Sequence, residues 1–317
     1  MKTLITKPML VTALGAIGAF GVLAGPEKVV GADACKECHT AEHAQWATTP
    51  HAKSLDALRE GREIAEKMQL GRTFNREGIC ITCHATLGEK EAKPAPMGGV
   101  SCESCHGPAA DWIKIHNDYG GPNVTKEQES AEHRAERLKQ AEAAGMIRPS
   151  RIDLVAGNCY GCHSVPNEQL VNVGGHKAGS EFELVSWSQG QVRHNFMASK
   201  GAENAIASAE RKRVLYVVGK LKDLEAGLRG LSKITQDEAA YHGSFVARTK
   251  NAMAGLTEIN TKQPIAEIGT ALGKLKGLNP AAAGGVADEV AGLAAKLAAN
   301  DGKGWAAIDG LIPTTTK

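Results

Sequence analysis

All eight cysteines fall into four Cys-x-x-Cys pairs, and a histidine follows each pair at once. The strings are Cys35-Lys36-Glu37-Cys38-His39, Cys80-Ile81-Thr82-Cys83-His84, Cys102-Glu103-Ser104-Cys105-His106 and Cys159-Tyr160-Gly161-Cys162-His163. Cys-x-x-Cys-His is the attachment pattern for c-type haem. The two thiols add to the vinyl groups as thioethers, and the adjoining histidine becomes the proximal iron ligand. Three other chemistries use paired cysteines. A disulfide framework does not require a histidine after every second cysteine. A zinc site does not need its histidines at one fixed offset, and a redox dithiol needs one pair, not four. The chain has 11 His among 317 residues, so four chance matches have odds on the order of one in a million. The spacing assigns four covalently bound haem c groups, with His39, His84, His106 and His163 as metal ligands.

Seven histidines lie outside the motifs, and a second histidine on an iron would make it a six-coordinate electron-transfer site. His51 sits in Thr49-Pro50-His51-Ala52-Lys53, where the proline is expected to start a helix that turns His51 inward. His116 follows His106 by ten residues through the amphipathic Asp111-Trp112-Ile113. His176 lies among glycines in Val173-Gly174-Gly175-His176, which permit close backbone approach to a porphyrin. His194 lies in an unusually aromatic stretch with Phe182, Trp187 and Phe196. These four are the expected distal ligands. His43 shares a helix face with His39 and cannot reach the far side of that haem. His133 lies in a charged, Ala-rich solvated helix, and His242 lies far from every motif.

Residues 33–197 resemble the tetrahaem cytochrome c554 family of ammonia-oxidising bacteria. The resemblance rests on Cys38-His39 with Trp46 and Thr49-Pro50-His51-Ala52-Lys53, and on Gly99-Val100-Ser101-Cys102-Glu103-Ser104-Cys105-His106-Gly107-Pro108. It implies a mostly helical fold with little strand and haems stacked in close pairs. It also implies a carrier that takes electrons from a haem-containing hydroxylamine oxidoreductase-like enzyme and passes them toward a membrane quinone-linked cytochrome. His51 and His116 match distal ligands of the family, and His194 is the counterpart of a third. In the family the haem corresponding to His84 lacks a distal ligand. This chain departs from that pattern in having His176, and in a longer C-terminal region.

The elements that must position these residues follow from composition. Lys2 and Lys7, an apolar run from Pro8 to Ala24 and small residues beyond it read as a secretory signal, residues 1–32, with cleavage after Ala24 or Ala32. The 17-residue run is short for a membrane span of about 20 residues, so the mature protein is expected in the periplasm. Removing residues 1–32 leaves 34 basic and 34 acidic residues, which excludes a basic nucleic-acid binder. Four ferric haems with ionised propionates add about four negative charges, so basic partner surfaces are favoured. Aromatics are only 4% of the chain, and porphyrins are expected to replace them in a tetrahaem domain over residues 33–200.

Residues 125–147 read as a charged helix between the third and fourth motifs. Residues 201–317 hold no cysteine, and apolar residues recur at helical spacing in Ala205–Leu231, Gln236–Ile259, Ile265–Leu278 and Val286–Ala299. The expected fold is therefore all-α: a haem domain followed by an Ala-rich helical bundle that covers it, docks a partner or forms oligomers. The expected function is electron carriage. The rivals are reduction of nitric oxide or a related nitrogen oxide at a five-coordinate haem, and a haem subunit of a larger complex.

Overall fold

The computed structural model describes residues 25–317 apart from 73, 76, 77 and 238. The signal segment up to residue 24 lies outside the described residues. The fold is mostly helical, as expected, with two short strands among the described residues. The haem-motif region is built of short helices: α1 (Ala32–Lys36), α2 (Thr40–Ala47), α3 (Ser54–Ala57), α4 (Arg62–Lys67), α5 (Ile81–His84) and α6 (Cys102–His106). The inserted helix α7 (Ala131–Ala143) follows, then α8 (Ile152–His163), α9 (Glu168–Asn172) and α10 (Leu184–Ser188). A single helical turn suffices at each motif, because cysteines three apart share one face. The strands β1 (Leu87–Lys90) and β2 (Lys93–Pro96) form an antiparallel hairpin, Leu87 opposite Pro96. Its tip residues Glu91 and Ala92 both take positive φ, as a tight two-residue hairpin loop requires.

The C-terminal region holds the long helices α11 (Ala209–Leu231), α12 (Ala240–Lys262), α13 (Ala266–Lys274) and α14 (Ala283–Ala298). Helix α11 is the central post. Val214, Leu215, Val217, Val218, Leu221, Leu224 and Leu228 bury apolar side chains around most of its circumference, as a helix surrounded by others must. Ser208 caps its start by accepting from the Arg211 N–H. A methyl group at Gly230 would run into the Phe245 ring, so glycine sets how closely α11 and α12 approach.

The largest apolar core is continuous from α8 and α10 into these helices. Ile152, Ala156 and Tyr160 of the fourth motif's helix share it with Leu221 and Leu224 of α11. The apolar clusters around the other motifs are small, such as Leu58, Cys80, Ile81 and Ala85. Packing of protein on protein is thus concentrated behind the fourth motif. Among the described residues no helix is long and apolar enough to cross a membrane.

Candidate haem-ligand sites

Each motif histidine faces one other histidine, and none of these pairs lies within one stretch of chain. His39 and His116 have ring centres 6.4 Å apart, His51 and His163 6.0 Å, His84 and His176 6.4 Å, and His106 and His194 6.1 Å. Two imidazoles bound end-on to opposite sides of one metal, at about 2 Å per bond, have centres about 6.3 Å apart. All eight sequence-derived histidines are brought into four pairs of that spacing. His43, His133 and His242 belong to none of them. His43 lies edge-on to Trp46, and the His133 Nδ1 is 2.8 Å from Glu129 Oε1.

The ring nitrogens carry a second test of fit. Nδ1 of His106 is 2.9 Å from the Ile147 carbonyl, and Nδ1 of His116 is 2.6 Å from that of Ile113. Nδ1 of His176 is 2.8 Å from the Lys177 carbonyl, and that of His194 is 2.7 Å from Val192. His163 Nδ1 meets Ser180 Oγ at 3.2 Å. A carbonyl can only accept, so Nδ1 carries the proton in those four rings and Nε2 keeps the lone pair that a metal needs. Burial holds the pKa of His51, His84, His106 and His116 below the ordinary histidine range. Burial, then the charges of His51 and Arg248, bring His163 down to about 4. Neutral imidazole is the form that binds a metal.

The surroundings also offer donors for haem carboxylates. The indole N–H groups of Trp112 and Trp187 are buried with no hydrogen-bond partner, as is Nε of Arg193. Trp112 lies edge-on to His116 and Trp187 edge-on to His163, and Arg193 adjoins His194. An unmatched buried donor costs about 1–3 kcal/mol, and propionate oxygens are acceptors of the right kind for all three. The residues present therefore fit haem c, held by Cys35/Cys38, Cys80/Cys83, Cys102/Cys105 and Cys159/Cys162. All eight thiols are free of disulfides.

The motifs are packed against one another in a definite order. The thiols of Cys35 and Cys102 lie beside one another, as do those of Cys83 and Cys162. The first motif thus abuts the third, and the second abuts the fourth. Asn158 Nδ2 donates to the Cys105 carbonyl at 3.2 Å, joining the third to the fourth.

Local contacts explain the strings around the motifs. Ser54 Oγ lies 2.7 Å from the His51 carbonyl and 2.9 Å from that of His84, and accepts from the Val100 N–H at 3.0 Å. A side chain at Gly99 would collide with the His51 carbonyl. Trp46 Nε1 donates to the Val100 carbonyl at 2.9 Å. Thr49–Lys53 and Gly99–Ser101 are therefore two halves of one clamp around His51. Glu103, buried inside the third motif, accepts from the N–H groups of Val30, Gly31 and Ala109 at 2.7–3.0 Å.

Three local expectations change. Helix α3 begins at Ser54, so His51 sits in the turn before it, where Pro50 and the clamp set its direction. The glycines before His176 end α9, and Gly175, at φ +73°, lets the His176 N–H return to the Leu170 carbonyl at 3.0 Å. Helix α7 is not solvated all round. Its buried Arg137 donates to both Glu129 oxygens at 2.6 Å and also to the His116 carbonyl. Its far end returns Ile147, whose N–H donates to the His106 carbonyl at 2.8 Å. Arg137, Ser54 and Ser180 are supporting residues that sequence reading missed; hydroxyl and guanidinium groups carry no spacing signal for partners this far along the chain.

Residues 34–107 match the family described as cytochrome c554 and c-prime. Over 130 residues the chain is 31% identical to cytochrome c-554 of Nitrosomonas europaea. This part of the chain is similar to the cytochrome c554 family. The alignment covers 38% of this chain and 55% of the Nitrosomonas protein, so the chain spans about half the length of the curated relative it matches. No solved structure matches. Both Thr49–Lys53 and Gly99–Gly107, the clamp and the third motif, lie inside the matched residues. Cytochrome c relationship carries with it covalently bound haem c.

Proposed function

We propose that the protein is an exported, periplasmic tetrahaem cytochrome c that carries electrons between redox partners, every iron held by two histidines. The observation that supports this is the set of four ring pairs at 6.0–6.4 Å. When bound, haem c supplies a reversible one-electron couple. The chain's part is to hold two imidazoles on one axis at each site, so that gaining an electron requires little movement of ligands. Carbonyl groups on Nδ1 keep the rings of His106, His116, His176 and His194 from rotating, and burial favours the neutral form of His106 and His116. The packing order first, third, fourth, second motif lines the sites up for transfer along the chain of contacts.

The two ends of that order, near His39/His116 and near His84/His176, are where donor and acceptor meet the protein. A haem-containing donor such as a hydroxylamine oxidoreductase-like enzyme and a membrane quinone-linked cytochrome as acceptor suit a carrier of this kind. The acidic holoprotein favours basic patches on both. His176 faces His84, the site left open in the family, which argues against small-molecule reduction there. The deciding experiment is EPR spectroscopy of the oxidised holoprotein, with nitric oxide added after reduction. Four low-spin irons and no nitric oxide uptake are expected. A high-spin iron that accepts nitric oxide overturns the all-histidine reading and makes this an open catalytic site.

A further inference from the structure

We propose that Arg248 and Asp223, from the C-terminal helices, are positioning residues that set the electrostatics of the His163 site through Ser180. The inference rests on His163 being an iron ligand. Ser180 is the link. Its Oγ takes the His163 Nδ1 at 3.2 Å, and its N–H donates to the His163 carbonyl at 2.9 Å. Nη2 of Arg248, on α12, donates to the Ser180 carbonyl at 2.9 Å. Nη1 of the same guanidinium is paired with Asp223 Oδ1 on α11. Both side chains are nearly buried, at 10% and 12% exposure, so solvent screens the pair weakly.

The approach is built into the chain. Gly179 has φ +78°, and a Cβ there would stand 3.2 Å from Arg248 Nη2 and 3.2 Å from the Ser164 carbonyl. Glycine is what allows the guanidinium to reach the backbone behind the fourth motif. Arg248 also lies 6.0 Å over the ring of Tyr160, inside that motif. Tyr160 packs edge-on to Phe182, and Phe182 stacks on His163 at 4.7 Å. Lys220 and Glu183 are the other charges facing Asp223.

Each member has a signed effect. An acceptor on Nδ1 makes the imidazole more basic and favours the ferric state. A nearby positive charge favours the ferrous state, and a nearby carboxylate opposes it. From sequence alone the C-terminal bundle is cover, docking surface or oligomer interface. These contacts make it part of the ligand support of one particular iron.

Optical redox titration of the holoprotein with EPR, on parent and variants, tests this. Asp223→Asn is expected to raise one of the four midpoint potentials and leave three in place. Arg248→Gln lowers that same potential, and Ser180→Ala raises it. A structural role alone would not produce shifts of opposite sign confined to one haem. Potentials unmoved in all variants, or all four moving together with a fall in melting temperature, overturn the proposal. Should Arg248→Gln fail to accumulate with four haems, Asp223→Asn and Ser180→Ala decide by the same criterion. Haem count and spin state of the parent protein report His163 ligation separately. Four low-spin haems with unmoved potentials reject this inference alone, whereas a missing fourth low-spin signal rejects the ligand reading beneath it.

Discussion

Replacing His176 with alanine alters one site and spares the other three. The His176 ring centre is 6.4 Å from that of His84, and the remaining three pairs are made by other residues. The loop around it is held by main-chain contacts, the His176 N–H to the Leu170 carbonyl at 3.0 Å among them. Truncating a partly exposed side chain whose Nδ1 is hydrogen-bonded to the carbonyl of the next residue costs within about 1 kcal/mol. The variant should therefore fold and load haem like the parent, with one iron in four losing one axial nitrogen.

EPR of the oxidised His176→Ala protein is expected to show a high-spin signal equal to a quarter of the iron. After reduction it should take up one equivalent of nitric oxide per chain, while the parent takes up none. Measurement at about pH 6 keeps lysine amines protonated and unable to substitute as ligands. His133→Ala is the control, since that ring is engaged by Glu129 and lies in no pair. A His176→Ala protein that stays wholly low-spin, or a parent that is already a quarter high-spin, refutes the pairing of His176 with His84.

Three other outcomes are expected. Arg137, with His133, holds the Glu129 carboxyl down at about 2. A depressed folded pKa stabilises the protein above the ordinary value of 4.5 and loses that stabilisation as pH falls toward 2. Melting curves should thus drop more steeply over that window in the parent than in Glu129→Gln; equal slopes would count against the pair. Gly230→Ala forces a methyl group onto Phe245 and should cost about 1–3 kcal/mol in denaturant unfolding, with no cost meaning that α11 and α12 can separate freely. Trp187→Phe keeps the ring but drops its buried N–H. Loss of a hydrogen bond to a charged propionate should destabilise the holoprotein by about 1.5–3 kcal/mol, and a neutral result would show that the indole has no such partner.

The cofactor was legible in the sequence because its attachment is local. Two thiols and an imidazole must sit within five consecutive residues to reach one porphyrin, so covalent chemistry writes itself into spacing. The all-α character was legible for the same kind of reason: a 3.6-residue apolar period in α11 to α14 records which face each helix buries. Even the candidate distal histidines could be selected, from the prolines, glycines and aromatic residues beside them.

Which histidine faces which could not be read. His51 follows the first motif in sequence and faces His163 of the fourth, while His116, just past the third motif, faces His39 of the first. Facing is a relation across a gap, and it depends on the clamp between Thr49–Lys53 and Gly99–Ser101 and on helices packed from elsewhere. Arg137 and Arg248 show the same limit. In the sequence each is one charge on a polar helix. In the folded chain each is buried against a carboxylate, Arg137 on the main chain of His116 and Arg248 on that of Ser180 beside His163. Cofactor chemistry, helical class and candidate ligands can be read from the order of residues, because these rest on bonds and periods a few residues long. Tertiary structure alone decided the pairing, the order of the sites and the charges behind them, because these rest on groups brought together through space from distant parts of the chain.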